Sequence, residues 1–263
     1  MSQARAEEWF ERWFGEEYKA LYPHRDEAQA GAQVAFLVRA LSDSVPRTEN
    51  DSGVPSAGLP SSWRALDVGC GAGRHLRAFR AHGVPAFGVD LSAVLLRDAR
   101  ASGLDVARAD MRRLPFRPGT FDLVGCFFTS FGYFATFEED VAALAGFASA
   151  ARAGGFLFID IPNAAPLARA LVPEDTSEWN GRRVDVRRAL EGDSVVKRIR
   201  IHAGAGLEEM HREERVRLFS LDRLEPALRA LGLETLRVFG DESGAAYDPE
   251  HSPRMSLLLR CPA

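Results

Sequence analysis

Leu66-Asp67-Val68-Gly69-Cys70-Gly71-Ala72-Gly73-Arg74 is the stretch that decides the fold class of this chain. An apolar run, Arg64–Val68, feeds three alternating glycines, and a helical stretch, His75–His82, follows. Glycine lets the backbone turn with positive φ and lets a ligand approach the main chain closely. The helix after it aims free N–H groups at whatever sits there. The spacing departs from the dinucleotide fingerprint G-x-G-x-x-G/A: the sixth position counted from Gly69 is Arg74, and from Gly71 it is Leu76. The phosphate loop G-x-x-x-x-G-K-[S/T] is absent as well. Asp67 brings a carboxylate to the loop, which suits a cationic ligand and opposes a phosphate.

Outward from this loop the chain alternates. Ala86–Val89, Asp105–Arg108, Phe121–Phe127 and Phe156–Ile161 read as strands, and 93–102 and Glu138–Ala151 as helices. Strands alternating with helices predict a parallel sheet covered on both faces. Past Pro162 the pattern changes. Arg182–Leu190, Ser194–Ile201 and Arg212–Phe219 alternate apolar and charged residues, as half-exposed antiparallel strands do. A helix, Leu221–Leu231, stopped by Gly232, then precedes two more strands, Leu233–Phe239 and Arg254–Cys261. Upstream, apolar residues from Trp9 to Leu21 repeat at helical spacing across Gly15, and a second helix is expected from Glu27 to about Leu41. Residues 43–62 are rich in Ser, Pro and Gly and read as a linker. The expected organisation is a helical lid over 1–42, that linker, and one domain over 63–263 with a β-rich insertion at about 163–220.

The second strand ends in Val89-Asp90-Leu91, about 20 residues past the glycines, where an acid can accept hydrogen bonds from ribose hydroxyls. Ser92 competes with Asp90 as the cap of the next helix. The third strand leads to Asp110-Met111, where the carboxylate could accept from an adenine amino group and the Met111 N–H donate to the ring. Asp122, at the start of the fourth strand, reads as a folding residue. Ligands of open α/β sheets bind at the carboxyl ends of strands. Acids on successive strand tips around this loop specify a nucleoside without phosphate that carries positive charge. S-adenosylmethionine has that composition.

The chain resembles class I S-adenosylmethionine-dependent methyltransferases. LDVGCGAGRH, VDLS, RADMRRLPF and FDLVGCFFTSFGYF resemble their first four motifs, in order, over about residues 63–162. ADMR at 109–112, Ser130-Phe131-Gly132 and His211–Ser220 are similar to a small-molecule branch that includes bacterial aminosugar N-methyltransferases. The resemblance implies an α/β, Rossmann-like, seven-stranded, mostly parallel sheet of order 3-2-1-4-5-7-6, helices on both faces, and S-adenosyl-L-methionine as cofactor. It implies cofactor contacts at Asp67, Gly69, Cys70, Gly71, Gly73, Asp90, Leu91, Asp110, Met111 and Phe127, and from the lid at Tyr22 and Arg25. Arg25 could pair the methionine carboxylate as a bidentate fork. Ser130, Tyr133, His211, Tyr247 and Arg254 are the acceptor-side candidates, with Tyr133 the candidate to orient or deprotonate the acceptor.

Composition bounds the alternatives. In 263 residues, 33 basic side chains face 37 acidic ones, a net charge of −4, which lacks the basic excess of a phosphate-gripping protein. Arg183, Arg187, Arg188, Lys197, Arg198 and Arg200 alternate with Val and Ile and read as a solvated sheet face. The segment after the fourth strand, Phe-Phe-Thr-Ser-Phe-Gly-Tyr, lacks both the [D/N]-P-P-[Y/F] of DNA amino-methylating enzymes and a Pro-Cys nucleophile. Cys70, Cys126 and Cys261 form no disulfide or zinc pattern, and no metal site is expected. The acidic, aromatic start has no signal-peptide pattern, and Val124–Phe134 is too short to span a bilayer. The expectation is a cytoplasmic monomer or homodimer that methylates a small molecule, on nitrogen before oxygen, without nucleic-acid or membrane partners. The competing readings are a non-catalytic cofactor binder and a protein or RNA methyltransferase.

Overall fold

The computed structural model describes residues 8–21, 27–44, 58–204 and 206–263. Three helices come first: α1 (Trp9–Trp13), α2 (Glu16–Leu21) and α3 (Glu27–Ser42). The single helix expected across Gly15 is therefore two. The chain leaves helical geometry at Phe14, and the Gly15 N–H turns back to the Trp13 carbonyl at 2.8 Å.

The alternating part follows as β1 (Ala65–Val68), α4 (Arg74–Ala81), β2 (Ala86–Asp90), α5 (Ala93–Ala101), β3 (Asp105–Arg108), β4 (Phe121–Cys126), α6 (Phe137–Ala150) and β5 (Ala151–Pro162). Four inserted strands come next, after the short α7 (Ala164–Arg169): β6 (Glu174–Trp179), β7 (Arg182–Glu191), β8 (Ser194–Ile201) and β9 (Met210–Arg217). The chain ends with α8 (Leu221–Ala230), β10 (Glu234–Phe239) and β11 (Arg254–Arg260). The main sheet has the order β10-β11-β5-β4-β1-β2-β3. Counted over its own seven strands this is 3-2-1-4-5-7-6; counted along the whole chain, the last two are eleventh and tenth. Only β11 runs antiparallel to its neighbours. The inserted strands form a separate antiparallel sheet, β6-β7-β8-β9. β6, the polar segment EDTSEW, carries no alternating signal; backbone pairing to β7 alone makes it a strand.

The central strands β1, β4, β5 and β11 are buried on both faces because they are apolar at most positions. In β11, Leu257 and Leu259 join one core cluster with Leu66, Val68 and Ile159, while Leu258 joins the opposite one with Phe79, Phe127 and Phe158. Side chains of a strand alternate between faces, so a continuous apolar run serves both layers.

The inserted sheet is tied to the segment after β4 by Arg217, itself buried. Its guanidinium reaches buried Asp140 at 2.8 Å and the Ala135 carbonyl at 2.9 Å, and its main-chain N–H donates to the Gly132 carbonyl at 2.7 Å. This clasp sets the height at which residues 130–134 stand above the strand ends.

The third glycine of the loop packs the helix. Gly73 has φ of +83°, and a Cβ there would lie 2.3 Å from Leu104 Cδ1. A side chain in left-handed backbone costs ~1–2 kcal/mol and overpacking a filled core ~1–3 kcal/mol, so Gly73→Ala should destabilise the protein by about 2–5 kcal/mol. Urea unfolding checks this; a change too small to measure would show that the packing there is slack.

Candidate active site

One cavity opens at the carboxyl ends of β1 and β2 and along the segment after β4. Gly69, Gly71, Asp90, Leu91, Asp110, Met111, Ser130 and Tyr133 line it. A second recess shares Gly69, Gly71, Leu95 and Ser130 with it and adds Cys70, Arg74, His75, Phe127 and Phe128. The strand-to-helix turn that joins them depends on glycine: Gly69 has φ of +77°, and a Cβ on it would lie 2.7 Å from Ser130 Cβ.

Three local environments set the acids apart. Asp90, at the tip of β2, accepts the Gly71 N–H and the Ser92 N–H, each at 2.8 Å, so it ties the glycine turn to its own strand. Burial pushes its pKa up against those hydrogen bonds. Ser92 caps α5 through the Leu95 N–H at 3.1 Å, so the two residues divide the roles. Asp110 accepts both Nε and the main-chain N–H of Arg112, at 3.0 and 2.9 Å, and Arg112 also reaches Glu8 at 2.8 Å. Asp67 is 1% exposed, and neither oxygen has a hydrogen-bond partner among the described residues. Burial raises its pKa to about 8. His75 Nδ1 stands 4.0 Å away, and burial holds that imidazole neutral by pushing its pKa well down. Asp122 faces the other end of the sheet, where it accepts the Arg64 N–H at 2.8 Å.

Helices α1 and α2 and the turn between them form one wall of the cavity. Phe10, Phe14 and Tyr18 line it. Phe14 stacks on Tyr133 at 5.8 Å, and Trp9 meets the same ring edge-on at 5.0 Å. On their other side, Trp13 and Tyr18 pack on Val184, Val186, Ile199 and Ile201 of the inserted sheet.

The family described as a methyltransferase domain matches residues 65–155. A curated relative, dTDP-3-amino-3,4,6-trideoxy-alpha-D-glucopyranose N,N-dimethyltransferase from Streptomyces venezuelae, is 31% identical over 196 residues, covering 70% of this chain and 81% of the relative. The chain belongs to the class I S-adenosylmethionine-dependent methyltransferases. Among solved structures, the sugar N-methyltransferase KedS8 from Streptoalloteichus sp ATCC 53650 matches 100% of this chain and 98% of its own at a TM-score of 0.69 and 23% identity. S-adenosylmethionine-bound CalS10, an amino pentose methyltransferase from Micromonospora echinaspora, matches 93% of this chain and 96% of its own at a TM-score of 0.63 and 24% identity.

The cofactor of this methyltransferase is S-adenosyl-L-methionine, and the cavity fits it. The carboxylates that line it are Asp90 and Asp110, while Asp67, expected to present its charge to the ligand, is buried beneath the turn and lines neither recess. Asp90 would hold the ribose, since a carboxylate with two acceptor bonds made keeps lone pairs free. Leu91 and Met111 would flank the adenine, with Phe14 and Tyr18 over it.

Several expected residues stand elsewhere. Gly73 lies beneath the turn and packs on Leu104. Arg254 is turned inward and pairs with buried Asp160 at 2.9 Å. Tyr247 donates from Oη to Asn163 Oδ1 at 3.2 Å and packs on the core. His211 bonds Glu209 at 2.8 Å on the outer face of β9, because its neighbour Met210 turns toward the lid. Tyr22 and Arg25 fall outside the described residues. The arginines of the inserted sheet have carboxylate partners: Arg183 with Asp185 at 2.7 Å, Arg187 with Glu174 at 3.2 Å, Arg198 with Glu213 at 3.1 Å and Arg200 with Glu209 at 2.8 Å.

Sequence reasoning missed the inward use of Phe10 and Phe14, whose density of rings on one helical face reads equally as core. It also missed Arg112, Gln33 and Asp160. An acid inside the apolar run FLFIDIP is the signal that points to the last of these.

Asp67 ionises near 3.8 in the unfolded chain and near about 8 in the folded one. Its stabilising share is therefore complete below the first value and lost as pH rises through the second. Asp67→Asn, which cannot ionise, should gain on the wild type in urea titrations of the free protein as pH climbs through that window. A pH-independent stability difference would show that Asp67 does not titrate in this window.

Proposed function

We propose that this methyltransferase moves a methyl group from S-adenosylmethionine to the amino nitrogen of a small-molecule acceptor, an aminosugar. The observation that carries this reading is the wall formed by Ser130 and Tyr133 beside the glycine turn, covered by Phe10, Phe14 and Tyr18. A methyl acceptor at that wall must fit under the lid, which favours a small molecule over a nucleic-acid strand or a folded protein. The paired arginines of the inserted sheet point the same way. The relative from Streptomyces venezuelae acts on an aminosugar and spans most of both chains.

When bound, the cofactor supplies an electrophilic methyl on a cationic sulfur. The chain's task is then to position the acceptor and to exclude water. An amine needs only to lose a proton and to align its lone pair, whereas a hydroxyl calls for a general base. Among the described residues no histidine lines the cavity: His75 lines the neighbouring recess and is held neutral by burial, with Nε2 engaged by Gln33 at 3.0 Å. Asp90 and Asp110 are engaged by backbone and by Arg112. That inventory favours nitrogen. Ser130 and Tyr133 would orient the amine by hydrogen bonds to its N–H groups.

The test is transfer from methyl-labelled cofactor to a nucleotide-linked aminosugar, read by mass spectrometry as mono- and dimethylated amine. Tyr133→Phe should lower kcat by about tenfold or more while cofactor affinity holds, the effect of a mispositioned acceptor. Asp90→Ala should weaken cofactor binding by ~10–100-fold, as loss of charged hydrogen bonds does. Equal methylation of the matching sugar with a hydroxyl in place of its amine would overturn the preference for nitrogen.

A further inference from the structure

Asp160 is a third buried carboxylate at this end of the sheet, and methyl transfer as derived above makes no use of it. It is fully buried, inside the apolar run of β5. Its two oxygens accept from four donors. One takes Gln33 Nε2 at 2.8 Å and the Phe128 N–H at 3.0 Å; the other takes Arg254 Nε at 2.9 Å and Ser256 Oγ at 2.8 Å. The main-chain carbonyl of Asp160 accepts the Thr129 N–H at 3.1 Å, and Arg254 donates to Thr129 Oγ1 at the same distance. The bonds from Gln33 and Ser256 fix the carboxylate, and the others end on Phe128 and Thr129, the second and third residues past the fourth strand, or on the Arg254 that bonds Thr129.

Those two residues are the non-glycine pair with left-handed backbone in the catalytic half of the molecule: Phe128 at φ of 51° and Thr129 at φ of 66°. A residue with a Cβ is disfavoured there by ~1–2 kcal/mol, and a β-branched threonine is a genuine outlier. Such backbone persists only where its surroundings over-determine it. The next residue, Ser130, presses against Gly69 and lines the cavity, and Tyr133 follows on the same wall. The twist at 128–129 thus aims the wall that faces the reacting centre.

We infer that Asp160 is a positioning residue for methyl transfer, which holds Phe128 and Thr129 in left-handed backbone so that Ser130 and Tyr133 meet the acceptor. A carboxylate is required because only an acceptor of this capacity satisfies four donors at once. Arg254, expected from the sequence to reach the acceptor itself, acts through this carboxylate instead. Gln33 extends the network: its Oε1 bonds His75 Nε2 at 3.0 Å, and the His75 ring stacks on Phe127 at 4.3 Å. The glycine turn and the acceptor wall are therefore registered to each other through α3.

The inference rests on the reading that Ser130 and Tyr133 face the acceptor, and its test separates the two. Asp160→Asn turns an amide donor toward donors and should lower kcat for aminosugar methylation by about tenfold or more, with adenosylhomocysteine affinity within about threefold of wild type. Hydrogen exchange should rise in the peptide spanning 127–134 and not across the sheet. Adding Thr129→Gly should restore much of the lost kcat, because glycine holds positive φ unaided. Where Asp160→Asn does not fold, Ser256→Ala and Gln33→Leu, each removing a single donor, carry the same measurements. A kcat within twofold of wild type, a loss of turnover matched by loss of cofactor affinity and by exchange throughout the sheet, or no gain from the glycine would each overturn it. If the wild type methylates no aminosugar, the proposed function fails alone, and the confined rise in exchange still decides the role of Asp160.

Discussion

Desolvated carboxylates at the carboxyl ends of neighbouring strands are the constraint on which this methyltransferase depends. Taking an ionised carboxylate out of water costs several kcal/mol unless other groups replace the lost solvation. The three acids solve this differently. Asp90 is solvated by two main-chain N–H groups, and in accepting them it draws the glycine turn onto its own strand. Asp160 is solvated by four side-chain and main-chain donors, and in accepting them it bends the segment after β4. Asp67 has no such partners among the described residues and keeps its proton up to about pH 8. Burial without replacement solvation is the physical reason that this last carboxyl holds its proton.

The wall over these acids is made from distant parts of the chain. Lid rings from 9–18 pack on one side against Tyr133 and on the other against Val184, Val186, Ile199 and Ile201. The inserted sheet is clasped to the catalytic half by Arg217, which joins Asp140 and the carbonyls after β4. The first helices thus pack between Tyr133 and the inserted sheet.

The parallel sheet was legible because its signals are local. Glycines at alternate positions after an apolar run, and acids one strand apart, report their own backbone geometry, and Gly69, Gly71, Asp90, Asp110, Ser130 and Tyr133, all singled out from the sequence, line one cavity. His211 and Arg254 were misplaced because a strand's alternation tells which residues share a face and not which face looks inward. At β9 a one-residue difference sends Met210 to the lid and His211 to solvent. β6 was missed because its polar residues carry no pattern of their own; its partner β7 supplies the structure.

Local spacing by itself determined the fold class, the strand-to-helix turn and the chemistry of its ligand, since turn geometry and strand alternation depend on residues within a few positions of one another. Only the tertiary structure decided which carboxylates are satisfied, that Arg254 serves Asp160, and that aromatic rings from the first helices close the cavity. Those partners lie 127, 94 and more than 100 residues apart in the cases of Gln33 with Asp160, Arg254 with Asp160, and Phe14 with Tyr133. Contacts at such separations are set by packing of the whole chain, and no local pattern encodes them.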